Sequence, residues 1–221
     1  MEIAEHAGTH LDAPSHFSRA KWRLHEIPKE ALFGPAVIVD VEARVNETGN
    51  ADYQLSVDDL RFHERRYGRI PEYAIIFMNS GWWRRWNDTT GAYFGFRLQP
   101  GERPESCAAC HFPSVHPDAI RWLLENRPTF RGIGLDTGSV DSGSSVDYLA
   151  HRLLGAANKY GIENVNFAPI AGLDLRDRRL FASIAPAHIH DGSGAPARIL
   201  LFRDLDEEAH VTDEVSFRMD L

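Results

Sequence analysis

Short runs of apolar and β-branched residues recur along the chain and predict buried β-strands. The clearest are residues 35–41, Pro-Ala-Val-Ile-Val-Asp-Val, and residues 73–78, Tyr-Ala-Ile-Ile-Phe-Met. A third strand is predicted over residues 130–135. Two more are predicted over residues 180–190 and 197–202, with the turn Asp191-Gly-Ser-Gly194 between them.

Three other segments have the apolar spacing and the terminal residues that are typical of helices. Residues 56–66 predict a charged surface helix with Ser56 as its N-cap, and residues 116–126 predict a helix with Pro117 in its first turn. A further helix is predicted from about residue 146 to residue 160, ended by Gly161. Because these helices and the strands follow no strict βαβ order and no repeat, the pattern favours a single α/β or α+β domain.

Two segments predict irregular structure. Residues 79–100 are rich in glycine and aromatic residues, including Trp82, Trp83 and Trp86, and predict a long loop or lid. Residues 136–145, Asp-Thr-Gly-Ser-Val-Asp-Ser-Gly-Ser-Ser, predict a series of turns.

Composition narrows the class of protein. The chain has 221 residues, 43% of them hydrophobic, with a net charge of 24 − 32 = −8 and no basic cluster, which argues against nucleic acid as a partner. No apolar run approaches the ~18 residues of a membrane span, so a soluble protein is expected. A cytoplasmic location is favoured because no signal peptide is visible, although a targeting sequence upstream of Met1 could be missing.

The densest chemistry lies in the segment His6-Ala-Gly-Thr-His10-Leu-Asp12-Ala-Pro-Ser-His16. Its three histidines and one aspartate supply the nitrogen and oxygen donors that zinc and manganese prefer. All four positions are even, so in an extended chain their side chains project from one side. The alternative, a polar first strand that only happens to contain histidines, requires a demanding coincidence.

Spacing refines this prediction. His10 and Asp12 would lie about 7 Å apart on a strand and could reach one ion, whereas His6 would lie about 13 Å from His10 on a straight strand. Gly8 lies midway and has the backbone freedom to bend His6 inward. The sequence alone therefore predicts a metal site built around His10 and Asp12, with His6 brought in by a bend.

Further ligands would have to come from elsewhere in the chain. His151 lies inside the predicted helix 146–160, and Asp147, four residues earlier, could hold its second ring nitrogen. Glu163 follows the predicted end of that helix. Taken alone, His151 is better interpreted as a buried helical histidine with a polar partner than as a ligand.

Together these motifs resemble a known family. The pattern His6-x-Gly-Thr-His10-x-Asp12-x-Pro14-x-His16 resembles the signature of the metal-dependent cyclase-like hydrolases, which include bacterial-type kynurenine formamidase (arylformamidase) and isatin hydrolase. Later blocks resemble that family in the same order, namely Gly132-Ile-Gly-Leu-Asp-Thr137, Asp141, Ala150-His151-Arg152-Leu-Leu154 and Gly161-Ile-Glu163-Asn164.

The resemblance implies roles for particular residues. His6, His10 and Asp12 would bind a first divalent ion, and Asp12 would bridge to a second ion held by His151 and Glu163. His16 would be the catalytic histidine. Zinc is the expected metal, with manganese as the alternative, in one or two ions. The implied fold is a mixed-sheet α/β domain of the swivelling β/β/α type, and a homodimer or higher homo-oligomer is expected.

The resemblance also implies an activity, hydrolysis of an aryl amide. The leading expectation is conversion of N-formylkynurenine to kynurenine and formate, a step of tryptophan catabolism, and the alternative is isatin or another cyclic amide. A metal-binding relative without activity is the alternative of another class. The aromatic residues 82–96 would line a substrate pocket or pack as a hydrophobic loop, and the sequence favours neither.

The ends of the chain and its two cysteines complete these expectations. Residues 1–203 are expected to form the cyclase-like domain and residues 204–221 an acidic tail. Family members carry several dozen residues before the first motif, so the chain is expected to lack N-terminal strands that would support the ligand segment. Cys107-Ala-Ala-Cys110-His111 fits the pattern of c-type haem attachment, but unreactive thiols are the simpler expectation, with a redox or accidental disulfide pair as the alternative.

Overall fold

The structure is a computed structural model, which describes residues 3–87, 92–95, 110–172 and 180–203. Its strands are β1 (His10–Asp12), β2 (Phe33–Asp40), β3 (Gln54–Leu55), β4 (Ile75–Asn79), β5 (Ser114–Val115), β6 (Gly132–Leu135), β7 (Tyr160–Glu163), β8 (Leu180–Pro186) and β9 (Gly194–Arg203). Its helices are α1 (Glu42–Thr48), α2 (Val57–Tyr67), α3 (Pro117–Asn126) and α4 (Leu149–Ala156). Within these residues, no helix is long and apolar enough to cross a membrane.

Seven of the strands form one mixed sheet that closes on itself in the order β1-β7-β6-β4-β2-β8-β9. Strands β2, β4, β6 and β7 run parallel, while β1, β8 and β9 pair antiparallel with their neighbours. Strands β3 and β5 form a separate parallel pair. The predicted mixed-sheet α/β class is therefore confirmed.

Strand β4 shows why the predicted strands are continuously apolar. Ile76 and Met78 face a core that includes Leu60 of α2 and Leu123 of α3, and Ile75 and Phe77 face a second core enclosed by the closed sheet. Since successive side chains point to opposite faces, a strand between two cores needs apolar residues at every position. The strands predicted at residues 35–41, 73–78 and 130–135 are confirmed, with bounds shifted by at most two residues.

Helix prediction was right for α2 and α3 and wrong in part for the third helix. Ser56 caps α2, where its hydroxyl accepts from the Asp59 amide at 3.2 Å, and Pro117 opens α3. The helix predicted over residues 146–160 is only α4, because Tyr148 and Asn158 adopt left-handed conformations (φ 50° and 53°) at its two ends. The residues that follow form β7, and helix α1 was not predicted.

Three other expectations need a correction or lie outside the description. The strand predicted over residues 180–190 ends at Pro186, and β9 begins at Gly194 instead of residue 197. Cys110 is buried and disulfide-bonded, so the expectation of unreactive thiols is wrong for it. Cys107, Phe96 and the predicted tail 204–221 lie outside the described residues.

Candidate metal centre

The centre is organised by β1, which is only three residues long but pairs antiparallel with β7 on one side and β9 on the other. His10 lies opposite Glu163, and Leu11 lies opposite Ile162. Because side chains alternate along a strand, Leu11 enters the enclosed core, while His10 and Asp12 share the other face. The shared face predicted for His10 and Asp12 is confirmed.

Five of the predicted ligands converge on this face. Asp12 Oδ1 lies 2.6 Å from His6 Nδ1 and 3.3 Å from His10 Nε2, and Asp12 Oδ2 lies 3.1 Å from His151 Nε2. Glu163 Oε1 lies 3.1 Å from the same nitrogen of His151, and Oε2 lies 3.4 Å from His10 Nε2. Both carboxylates therefore contact the Nε2 atoms of His10 and His151. Asp12 directs Oδ1 at His6 and His10 and Oδ2 at His151.

Each histidine of the cluster has its other ring nitrogen engaged. His10 Nδ1 lies 2.9 Å from the Gly8 carbonyl oxygen, and His151 Nδ1 lies 2.7 Å from Asp141 Oδ2. His6 Nε2 lies 2.9 Å from the hydroxyl oxygen of Ser193. Such outer hydrogen bonds fix the ring orientation of metal-binding histidines in proteins.

The bend predicted at Gly8 brings His6 to the cluster. Gly8 has φ +62°, a conformation that glycine adopts without steric cost. Its carbonyl oxygen also accepts from the side-chain amide of Asn164 at 3.0 Å. Two side chains therefore hold the bend through the Gly8 carbonyl oxygen: Asn164, which follows β7, and the His10 ring.

His16 lies at the edge of the cluster, on a short 3₁₀ helix at Pro14–His16. Its ring stacks on His6 at a centroid distance of 4.1 Å and packs edge-on against Phe17 at 4.4 Å. A ring nitrogen of His16 lies within 4.8 Å of ligand atoms of His6 and Asp12. Partial burial lowers the pKa of the ring, which favours its neutral form.

Asp147 does not hold His151, so that expectation is wrong. Asp147 is exposed, and its carboxylate accepts from the Ser145 hydroxyl at 3.3 Å. Asp141 holds the ring instead, and it also accepts from the backbone amides of Ala150 and His151 at 2.8 and 3.0 Å. Spacing along a helix suggested the residue four positions earlier, but α4 begins only at Leu149.

Burial and ion pairing act in opposite directions on the titration of the centre. Burial lowers the pKa of His10 and of His151, but hydrogen bonds to Asp12 and Glu163, and to Asp141 for His151, outweigh burial and raise these values to about 10 and about 11. Burial raises the pKa of Asp12, yet the three surrounding imidazoles hold it well below its usual range. Without metal, protons on the histidines balance the buried carboxylates.

The cluster lies at a cavity of about 700 Å³. Aromatic rings that line this cavity are Phe17, Trp86, Phe94, Phe112 and Tyr148. Trp82 and Tyr93 pack instead in a small core, where the indole N–H of Trp82 donates to the Tyr93 carbonyl at 2.6 Å. Within the predicted aromatic segment, Trp86 and Phe94 therefore line the cavity, whereas Trp82 and Tyr93 pack in a hydrophobic core.

The other histidines that the structure describes do not join this cluster. His25, on a short 3₁₀ helix at Leu24–Glu26, stacks at 4.3 Å on His190, which lies beside Asp191 in the exposed turn that precedes β9. His210 lies outside the described residues.

Comparisons with known proteins agree with the geometry. Residues 1–142 match the Cyclase family model, described as "Putative cyclase". The chain belongs to the Cyclase family. It is similar to isatin hydrolase of Roseibium aggregatum, with 28% identity over 208 residues, covering 90% of this chain and 72% of that protein. It is also similar to kynurenine formamidase of Salinibacter ruber, with 25% identity over 210 residues, covering 91% and 77%.

A solved structure extends this likeness to three dimensions. Isatin hydrolase A from Labrenzia aggregata, bound to benzyl benzoate, has a TM-score of 0.75 and 33% identity, covering 90% of this chain and 74% of that one. The cyclase-like fold implied by the sequence motifs is therefore confirmed.

Asp141 and Ser193 are the residues of this cyclase-family centre to which sequence reasoning gave no function. Asp141 is ten residues from His151, in a turn-rich segment, and Ser193 is 187 residues from His6. An acidic residue shortly before a helix is a typical capping residue, and Asp141 is also part of the blocks that resemble the family, but neither feature indicates its contact with His151. Nothing local to Ser193 indicates its contact.

Asp141→Ala should impair the centre, whereas Asp147→Ala should not. The first change frees His151 Nδ1 and two backbone amides of α4, so we expect a 10–100-fold loss of metal affinity and a loss of about 0.5–2 kcal/mol in the free energy of unfolding. The exposed Asp147 should change that free energy by less than about 0.5 kcal/mol. Chelator competition and urea unfolding measure both effects, and equal behaviour of the two variants would contradict the assignment.

Metal binding should release protons. His10 and His151, with pKa values raised to about 10 and about 11, carry protons at pH 7.5 without metal and must lose them to bind an ion. We expect a release of about two protons and an affinity that rises with pH, because fewer protons then compete. Titration calorimetry in two buffers of different ionisation enthalpy measures this release. His10→Ala should release about one proton fewer, and a binding heat independent of buffer would refute the prediction.

Proposed function

We propose that this chain is a metal-dependent hydrolase of aryl amides, and that it acts on a cyclic amide of the isatin type. The observation that carries the proposal is the convergence of three imidazoles and two buried carboxylates at one end of an aromatic-lined cavity. Zinc and manganese prefer this donor set. The similarity to isatin hydrolases, at up to 33% identity, supports the same class of substrate.

The residues of the centre fit a divalent ion. Two carboxylates supply two negative charges, and each imidazole has its outer nitrogen engaged, so one nitrogen of each ring remains for a metal. His6, His10 and Asp12 would hold a first ion, and Asp12, His151 and Glu163 a second. The opposite orientation of the two Asp12 oxygens supports this division. A bound divalent ion supplies water of lowered pKa and polarises the amide carbonyl.

His16 is the group that would move the proton. Ring opening adds the water oxygen to the amide carbon, breaks the carbon–nitrogen bond and leaves an aniline nitrogen and a carboxylic acid, which loses its remaining proton to solvent to become a carboxylate. A ring nitrogen of His16 would take the proton from water and return it to the leaving nitrogen. Among the described residues, no hydrogen bond engages either ring nitrogen, while stacking on His6 holds the ring beside the cluster.

The cavity favours a flat, uncharged substrate. Apart from the cluster residues, its described lining consists of aromatic residues, Val146, Asn164, serines and glycines, with no lysine or arginine among them. N-Formylkynurenine carries a carboxylate, which would lack a basic partner in this described lining, and an ammonium group, whereas isatin carries neither charge. The kynurenine formamidase relatives keep N-formylkynurenine as the second candidate, because both substrates contain an acylated aryl nitrogen.

A direct comparison of the two substrates tests this function. The purified protein with quantified zinc or manganese is expected to open isatin with a higher kcat/KM than it shows for N-formylkynurenine. His10→Ala/Asp12→Ala should lose bound metal and at least ~10³-fold in activity, since metal catalysis supplies several kcal/mol. His63→Ala/Asp58→Ala on the surface helix α2 is the matched control and should keep both. Metal bound without turnover of either amide would instead identify a non-catalytic relative and overturn the proposal.

His16→Gln separates proton transfer from metal binding. Loss of the base should lower kcat by about 10²–10⁴-fold, with the metal content unchanged because the five cluster residues remain. Metal analysis and steady-state kinetics of the same preparation measure the two effects. A parallel fall in metal content would show that His16 is a ligand, which its position near His6 and Asp12 also permits geometrically.

A further inference from the structure

The turn between β8 and β9 contacts His6 directly, although it lies about 187 positions away in the sequence. The hydroxyl oxygen of Ser193 lies 2.9 Å from His6 Nε2. Gly194 lies against the same ring, where a Cβ atom would approach His6 Cε1 to 2.6 Å. Backbone contacts hold this turn against β1 and the residue that follows it. The Ala13 amide donates to the Ser193 carbonyl at 2.8 Å, and Asp12 lies opposite Gly194.

Glu5 determines which way the Ser193 hydroxyl points. Its Oε2 atom accepts from both the backbone amide and the hydroxyl of Ser193, each at 2.8 Å. An ionised carboxylate only accepts hydrogen bonds, and a serine hydroxyl has one proton to donate. That proton is given to Glu5, so towards His6 the hydroxyl oxygen is an acceptor and Nε2 must carry the hydrogen.

His6 therefore differs from the other two histidines of the centre. His10 and His151 have Nδ1 engaged from outside and direct Nε2 at the carboxylates, whereas His6 directs Nδ1 at Asp12. A neutral imidazole can carry its proton on either nitrogen, and the hydrogen bond made by the outer nitrogen selects between them. The outer partner of His6 has to be an acceptor for Nδ1 to be free as a ligand.

We propose that Ser193, oriented by Glu5, is a positioning residue that fixes His6 with its proton on Nε2 and so presents Nδ1 to a divalent ion. This inference rests on the proposed metal centre, and it assigns a function in that centre to the β8–β9 turn. Asp141 and the Gly8 carbonyl serve the other two histidines in the same way, but with Nδ1 as the outer nitrogen.

Nitrogen NMR of the zinc-loaded wild-type protein tests the tautomer directly and needs no substrate. The ring signals of His6 are identified by their loss in His6→Gln. We expect hydrogen on Nε2 and zinc on Nδ1 for His6, opposite to His10 and His151. Zinc on Nε2 of His6 overturns the proposal. A wild-type chain that binds neither zinc nor manganese overturns the proposed function as well, so the two failures are distinguishable.

Zinc affinity of variants tests the positioning residues. Ser193→Ala should weaken zinc binding about 10–100-fold, and Ser193→Thr, which keeps the hydroxyl, should restore it. Glu5→Ala, which frees the hydroxyl to donate its proton to Nε2, should weaken binding in the same direction. Ser183→Ala on β8 is the matched control and should not change it. Unchanged affinity in Ser193→Ala, or no rescue by threonine, contradicts the proposal, and circular dichroism verifies that each variant is folded.

Discussion

Two buried carboxylates, Asp12 and Glu163, impose the constraint on which the centre depends. Their residues are only 3% and 5% exposed, and a buried carboxylate needs a cation or several hydrogen-bond donors around it. The Nε2 atoms of His10 and His151 meet this need for both carboxylates at once. Once the rings give up their protons, the same nitrogen atoms are available to the divalent ion proposed above.

The fold meets this constraint through close backbone approaches. Strand β1 is short, but ladders on both sides hold it, so His10 and Asp12 have little freedom to move. Helix α4, which carries His151, approaches the segment that carries His16 at Gly155, where a Cβ atom would lie 2.6 Å from the Pro14 carbonyl oxygen. A larger residue at position 155 would separate the two histidines, whose ring centroids are now 6.1 Å apart.

Sequence reasoning succeeded where the determining interactions are local. The alternation along residues 10–12 and the bend at Gly8 follow from strand geometry and residue conformation, and both occur in the structure. It failed where partners are distant in sequence. From spacing alone, His151 was interpreted as a buried helical residue with Asp147 as its partner. Nothing in the sequence near His151 indicates its contact with Asp12, which lies 139 positions earlier. Only the family resemblance brought His151 and Glu163 into the site.

The aromatic residues that line the cavity differ in how closely they contact the cluster. Phe17 packs on both His16 and His151 at 4.4 Å and on Tyr148 at 5.0 Å, so a substitution at Phe17 would also disturb the rings of His16 and His151. Trp86 and Phe94 pack instead on Tyr93, whose hydroxyl donates to Asn164 Oδ1 at 2.7 Å. These two rings line the same cavity with no ring contact to the histidines of the centre among the described residues. The cavity wall can therefore change at Trp86 and Phe94 with the least disturbance of the cluster of imidazoles and carboxylates.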